Sequence, residues 1–168
     1  MKSLIIYFSH TGENYMENGI ENITKGNTEK LVENLQSLTG ASLFKVEPVE
    51  AYPYNYQECC NVAKEELSLD KRPALKKYLD NLDDYETIYI AGPVWWGHYP
   101  VAMFSLLEKL DFKDKKVYYL TTHEGSGLGS TLEDIKRFCK GATIVSGFEC
   151  RGCRVDNSLE ALKRVLNI

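Results

Sequence analysis

Apolar runs and amphipathic stretches alternate along the whole chain, and their order predicts the architecture. Lys2 to Phe8 is a continuous apolar run with Ile and Tyr, the pattern of a strand covered on both faces. Gly12 to Gly26 then turns polar and reads as a loop, with room for a short hairpin around Glu17-Asn18-Gly19-Ile20. Asn27 or Thr28 opens a helix whose Leu31, Val32, Leu35 and Leu38 share one face, and Gly40 stops it. Ala41 to Val46 is a second strand. After the turn-rich Pro48 to Pro53, Tyr56 to Leu67 reads as a helix with Cys60, Ala63 and Leu67 on one side. Asp70 to Pro73 interrupts it, and a weaker helix or an extended crossover runs to Leu82. Glu86 to Ala91, Lys116 to Thr121 and Ala142 to Phe148 supply three more strands. Helices follow them through Val101, Phe104, Leu107 and Leu110, through Leu132, Ile135 and Phe138, and through Leu159, Leu162, Val165 and Leu166, the last capped by Asp156. Five apolar strands, each followed by a helical stretch, predict an α/β fold: one parallel sheet with helices on both faces.

In such sheets ligands bind beyond the carboxyl ends of the strands. The segments after strands one, three and four are the ones rich in Gly, hydroxyl and aromatic residues, so one sheet edge collects them. The first is Ser9-His10-Thr11-Gly12, resumed after the polar insertion by Gly26-Asn27-Thr28. A strand that feeds a helix through glycine and hydroxyls offers amide and hydroxyl donors backed by the positive helix end, an anion site. It has no Lys, unlike the nucleoside triphosphate loop Gly-x-x-x-x-Gly-Lys-Ser/Thr, and suits a terminal monophosphate. An ordinary capped strand-to-helix turn has the same composition. The second segment, Gly92-Pro93-Val94-Trp95-Trp96-Gly97, holds two adjacent tryptophans on a loop, of which at least one is expected to meet a ligand or partner. The third, Thr122-His123-Glu124-Gly125-Ser126-Gly127, is neither a nucleophile elbow nor a dinucleotide fingerprint, because its glycines fall at the wrong offsets. His123 is placed to act as a general acid or base, or is merely part of a polar loop.

Composition narrows the picture. The 168 residues fit one domain spanning 1–168, and 43% hydrophobic content is enough for a full core. A net charge of -4 argues against nucleic acid or an acidic membrane as partner. No stretch approaches the ~20 apolar residues of a membrane span. Five cysteines, an odd number, give no disulfide framework, and a reduced, cytoplasmic setting is expected. Cys150-Arg151-Gly152-Cys153 has redox-motif spacing, but after the last strand it reads as coincidence. His10 and His98 have no second ligand at set spacing, so no metal is expected. Tyr52, Tyr54 and Tyr56 either cover the ligand edge or pack over a helix end.

With these three loops in place, the chain resembles the flavodoxin-like family, within it the short flavodoxins with a split phosphate loop. The resemblance rests on Tyr7-Phe8-Ser9-His10-Thr11-Gly12 with Gly26-Asn27-Thr28-Glu29, on Gly92 to Gly97, and on Thr122 to Gly129. It implies a five-stranded, doubly wound sheet in the order 2-1-3-4-5 with FMN as cofactor. Ser9, His10, Thr11, Asn27 and Thr28 would hold the phosphate. Pro93, Val94, Trp95, Trp96 and Gly97 would line one side of the isoalloxazine ring; Thr122, His123, Glu124, Gly125, Ser126 and Gly127 would line the other. Electron transfer or flavin-dependent redox chemistry follows, with no catalytic side chain and with a redox protein or a small electron acceptor as partner, the chain being a monomer or a homodimer. Two departures, a third loop without an aromatic and a mildly acidic charge, leave room for an NAD(P)H-dependent quinone or nitro-compound reductase. A non-catalytic ligand- or partner-binding module on the same fold is the reading from another class.

Overall fold

A computed structural model describes residues 2–168. In chain order it contains β1 (Lys2–Tyr7), the hairpin β2 (Gly12–Met16) and β3 (Gly19–Ile23), α1 (Asn27–Thr39), β4 (Ser42–Lys45), α2 (Tyr56–Ser68), β5 (Tyr85–Pro93), α3 (Val101–Leu107), β6 (Lys116–His123), α4 (Thr131–Phe138), β7 (Thr143–Arg151), a 3-10 turn (Gly152–Asn157) and α5 (Leu159–Leu166). One five-stranded sheet has the order β4-β1-β5-β6-β7, and every pairing in it is parallel. Counting only its own strands along the chain, that order is 2-1-3-4-5, as the resemblance implies. The polar insertion forms a separate two-stranded sheet.

β1 is an inner strand, paired on both sides by β4 and β5, which explains why its sequence does not alternate. Leu4, Ile6 and Phe8 enter the core on the face of α3 and α4; Ile5 and Tyr7 enter the other, under α1 and α5. Both faces of an inner parallel strand are covered, so every position from Leu4 to Phe8 is apolar and buried. Helix α1 ends at Gly40, whose φ of 66° lets its N–H return to Gln36 O.

Three expectations shift. The segment after Asp70 is an extended crossover without a helix, tied to the chain before α2 by a bridge between Pro48 and Leu75. Asp156 does not cap the last helix; it lies in the 3-10 turn, and Ser158 takes the cap position. Strands β5, β6 and β7 each run two or three residues further than their apolar cores predict. Pairing, not hydropathy, sets their ends: Gly92 and Pro93 still pair with Thr121 and Thr122, and His123 with Arg151. Several residues expected on loops are therefore held in sheet register at its carboxyl edge.

Candidate functional site

A cleft of about 290 Å³ opens at the carboxyl ends of β1, β5 and β6. Eleven of the residues named from sequence line it: His10, Asn27, Thr28, Pro93, Val94, Trp95, Thr122, His123, Glu124, Gly125 and Ser126. The remaining five stand back. Ser9 supports the loop from behind, Thr11 is exposed, Trp96 and Gly97 form a turn beside the cleft, and Gly127 lies behind the third loop, where its carbonyl accepts from the Thr121 hydroxyl at 3.2 Å. Asn14, Tyr15 and Tyr56 also line the cleft. Only Tyr56 had a signal in the sequence. The hairpin that carries Asn14 and Tyr15 is polar, and its tertiary position leaves no local mark.

The first loop is shaped by a missing side chain. A Cβ on Gly26 would fall 2.0 Å from Ser9 Oγ and 2.8 Å from the His10 carbonyl oxygen. Glycine thus lets α1 start directly against the β1 loop. Gly26 has no side chain to cap α1, and Ser9 does so from a distance, its Oγ accepting from the Glu29 N–H at 3.0 Å. Among the described residues, the Asn27 and Thr28 N–H groups at the start of the helix have no protein acceptor. These are the donors an anion finds at a helix N-terminus. The Thr28 hydroxyl does not simply face the cleft: it is buried and shares a 2.7 Å hydrogen bond with the Thr122 hydroxyl. One of the two donates, and the other keeps its proton for a ligand.

The second loop is a tight turn. Trp95 N–H donates to His98 O at 2.7 Å and His98 N–H to Trp95 O at 3.1 Å, with Trp96 and Gly97 both at positive φ. Asp134 of α4, almost fully buried, anchors it: one carboxylate oxygen lies 2.7 Å from His98 Nδ1, and the other accepts from Tyr99 N–H at 3.0 Å. Trp95 stands edge-on against Phe8, Tyr52 and His10, with ring centroids 5.3, 4.9 and 5.5 Å away. Trp96 points outward and donates its indole N–H to Cys60 O at 3.0 Å. Gly92 precedes this loop and is fixed by packing. It lies in β5, where a Cβ would meet Met103 Sδ at 2.8 Å and Tyr99 Cδ1 at 2.9 Å.

The third loop is tied to β7. The His123 ring nitrogens are both engaged, Nδ1 accepting from Gly125 N–H at 2.8 Å and Nε2 meeting Glu149. Glu124 accepts from the Cys153 N–H at 2.9 Å. So Cys150 and Cys153 sit beside the cleft as free thiols, and Cys153 contributes its backbone. Arg151 brings its guanidinium 3.9 Å from where a Cβ on Gly125 would lie, a cation that no sequence motif placed near this loop. Among the described residues no group of three or more His, Cys, Asp or Glu side chains is arranged to hold a metal.

Three buried polar atoms on the cleft wall have no partner among the described residues: His10 Nε2, Asn27 Oδ1 and Glu124 Oε2. Two of them only accept, so they call for donors on a ligand. Burial lowers the His10 pKa below its ordinary value of 6.5, so the ring is neutral and brings no charge to the cleft. The native state then binds fewer protons than the unfolded chain below that value, and stability is lost as pH falls from about 6.5 through the lowered pKa. The FMN-free protein is therefore expected to lose more thermal stability between neutral and mildly acid pH than His10→Gln does. Parallel Tm profiles for the two would contradict this.

A family model described as flavodoxin matches residues 2–164. Among solved structures the chain is similar to a candidate flavoprotein from Bacteroides uniformis ATCC 8492, with 24% identity over 99% of this chain and 98% of that one and a TM-score of 0.78. It is similar to a second from Bacteroides eggerthii DSM 20697, with 22% identity, the same coverage and a TM-score of 0.76. It is also similar to a flavoprotein in complex with FMN from Lactobacillus acidophilus NCFM, with 20% identity over 96% of this chain and 98% of that one and a TM-score of 0.69. No curated protein matches the chain. Identities this low speak for the fold, and the family match over nearly the full length goes further: the chain belongs to the flavodoxin family.

Proposed function

We propose that the protein binds FMN in this cleft and serves in electron transfer or flavin-dependent redox chemistry. The observation that carries the reading is the first loop, where a glycine-shaped backbone brings two partnerless N–H groups of α1 to the cleft floor. That is a phosphate site. The unpartnered acceptors Asn27 Oδ1 and Glu124 Oε2 suit a phosphate ligand whose remainder carries hydroxyls and an N–H, as the ribityl chain and ring of FMN do. The L. acidophilus relative in complex with FMN supports the same cofactor. FMN supplies one- and two-electron chemistry; the protein holds and orients it. The chain's part is to seat the phosphate on α1, to set Trp95 as one wall and to close the other wall with Thr122 to Ser126.

Apo-protein incubated with FMN and freed of unbound FMN by gel filtration is expected to stay yellow with one FMN per chain, and the chemically reduced complex to pass electrons to a soluble acceptor. A chain that emerges colourless after incubation with excess FMN would favour the non-catalytic binding module.

Trp95 lines the cleft and Trp96 does not, so their fluorescence separates them. FMN is expected to quench most of the emission in Trp96→Phe and little in Trp95→Phe. The opposite pattern would move the ring away from Trp95.

A reductase is favoured by one specific feature, a second cleft that shares a wall with the first.

A further inference from the structure

The second cleft, about 240 Å³, runs between α2 and the Trp95-Trp96 turn. It meets the first along His10, Asn14, Tyr56, Val94 and Trp95, so a molecule in one would touch a molecule in the other. Its own wall comes from Cys59, Cys60 and Ala63 of α2 and from Trp96. We propose that this cleft is the subsite for an uncharged, flat electron acceptor of the quinone class, one or two rings in size. The inference rests on FMN occupying the first cleft.

Size, charge and polarity each narrow the occupant. The cleft is smaller than the one assigned to FMN, about 240 against about 290 Å³, so its occupant is smaller than a flavin nucleotide. Its walls are mostly apolar or aromatic, which suits a planar ring. No Lys or Arg lines it. Lys64 lies 5.1 Å over the Trp96 ring, on that indole, and does not line the cleft. An anionic acceptor would therefore find no counter-charge and would face Glu13. Glu13 is itself engaged, one carboxylate oxygen accepting from the Tyr56 N–H at 2.8 Å. Burial pushes the Cys59 thiol up to about 12 and the Tyr56 phenol is also raised to about 12, so both stay protonated and neutral. The neutral His10 ring sits at the junction with a buried, partnerless Nε2. In one tautomer that nitrogen donates, the complement of a quinone carbonyl. Nothing else on the wall demands a charged ligand.

Duroquinone is the probe, because all its ring carbons are substituted and no thiol adds to it. Equilibrium dialysis of duroquinone against the oxidised, FMN-loaded protein reads binding without turnover. Ala63→Phe and Cys60→Phe fill the cleft from α2 at two positions that do not themselves line the first cleft; the Cys60 carbonyl that holds Trp96 remains in both. Wild type is expected to bind duroquinone, and each variant to bind it at least about tenfold more weakly while FMN affinity stays within about twofold. Two variants guard against one failing to fold. No duroquinone binding by a wild type that binds FMN overturns the subsite and leaves the FMN reading standing. Loss of FMN affinity in both folded variants assigns the cleft to FMN itself, and overturns it too. Binding of benzyltrimethylammonium in place of duroquinone would make Glu13 and the aromatic wall a cation site, again against the proposal. Failure to take up FMN at all is read separately, from the dialysed protein's colour.

Discussion

Gly26→Ala is expected to abolish useful FMN binding while leaving a folded protein. The new methyl would fall 2.0 Å from Ser9 Oγ, 2.8 Å from His10 O and 3.0 Å from His10 N. Serine can rotate away, but the His10 backbone cannot yield without opening the loop proposed to hold the phosphate. The residue's own dihedrals, φ -65° and ψ 150°, are ones alanine adopts freely, so the effect is one of contact and not of backbone strain. Affinity for FMN is expected to fall at least about a hundredfold, or about 2.7 kcal/mol. Displacing Ser9 also removes the cap on Glu29 N–H, which costs about 1 kcal/mol of stability. For a chain of this length that is a Tm fall of only about 2–4 °C. Titration of the apo-protein with FMN and a thermal melt check the two parts. Near-wild-type FMN affinity in a folded Gly26→Ala protein would place the phosphate elsewhere.

Gly129→Ala is expected to damage both the fold and the cleft. Gly129 has φ 53°, and a Cβ there would meet the Gly97 carbonyl oxygen at 2.7 Å and Val94 Cγ1 at 3.0 Å. Here the two tryptophans' loop and the third loop touch, and Ser130 N–H donates to that same Gly97 oxygen at 2.6 Å. A side chain would suffer the left-handed conformation, ~1–2 kcal/mol, and would push apart the two loops that face each other across the ring site. A Tm fall of about 4–8 °C is expected for about 2 kcal/mol. FMN affinity is expected to drop about tenfold or more, since the cleft widens. A stable variant with unchanged FMN affinity would show that the contact between these loops does not set the width of the site.

Much of the architecture is written in local pattern. β1 is apolar from Leu4 onward because it is an inner strand covered on both faces, and the single-faced helices announce themselves by spacing. The glycines and hydroxyls at the strand ends point to one edge, and eleven of the sixteen residues named from them line one cleft. What stayed hidden is what the chain assembles over distance. Ser9 caps a helix twenty positions on, across the inserted hairpin. Asp134 reads as a first-turn helix residue, yet it pins the tryptophan turn from α4. Arg151 and the Cys153 amide reach the third loop only because β7 pairs alongside β6. Cys59 and Cys60 look like two thiols on a helix until α2 is packed beside Trp96. Hydropathy places an element; it does not say which neighbour it will have.

A paired titration reads out whether the start of α1 seats the FMN phosphate. Apo-protein is titrated with FMN and, separately, with riboflavin, following Trp emission and the flavin's own fluorescence. A hydrogen bond to a charged group is worth ~1.5–3 kcal/mol, and the first loop offers at least the Asn27 and Thr28 N–H groups. FMN is therefore expected to bind at least about a hundredfold more tightly than riboflavin. Equal affinity for the two flavins would show that the start of α1 does not hold the phosphate.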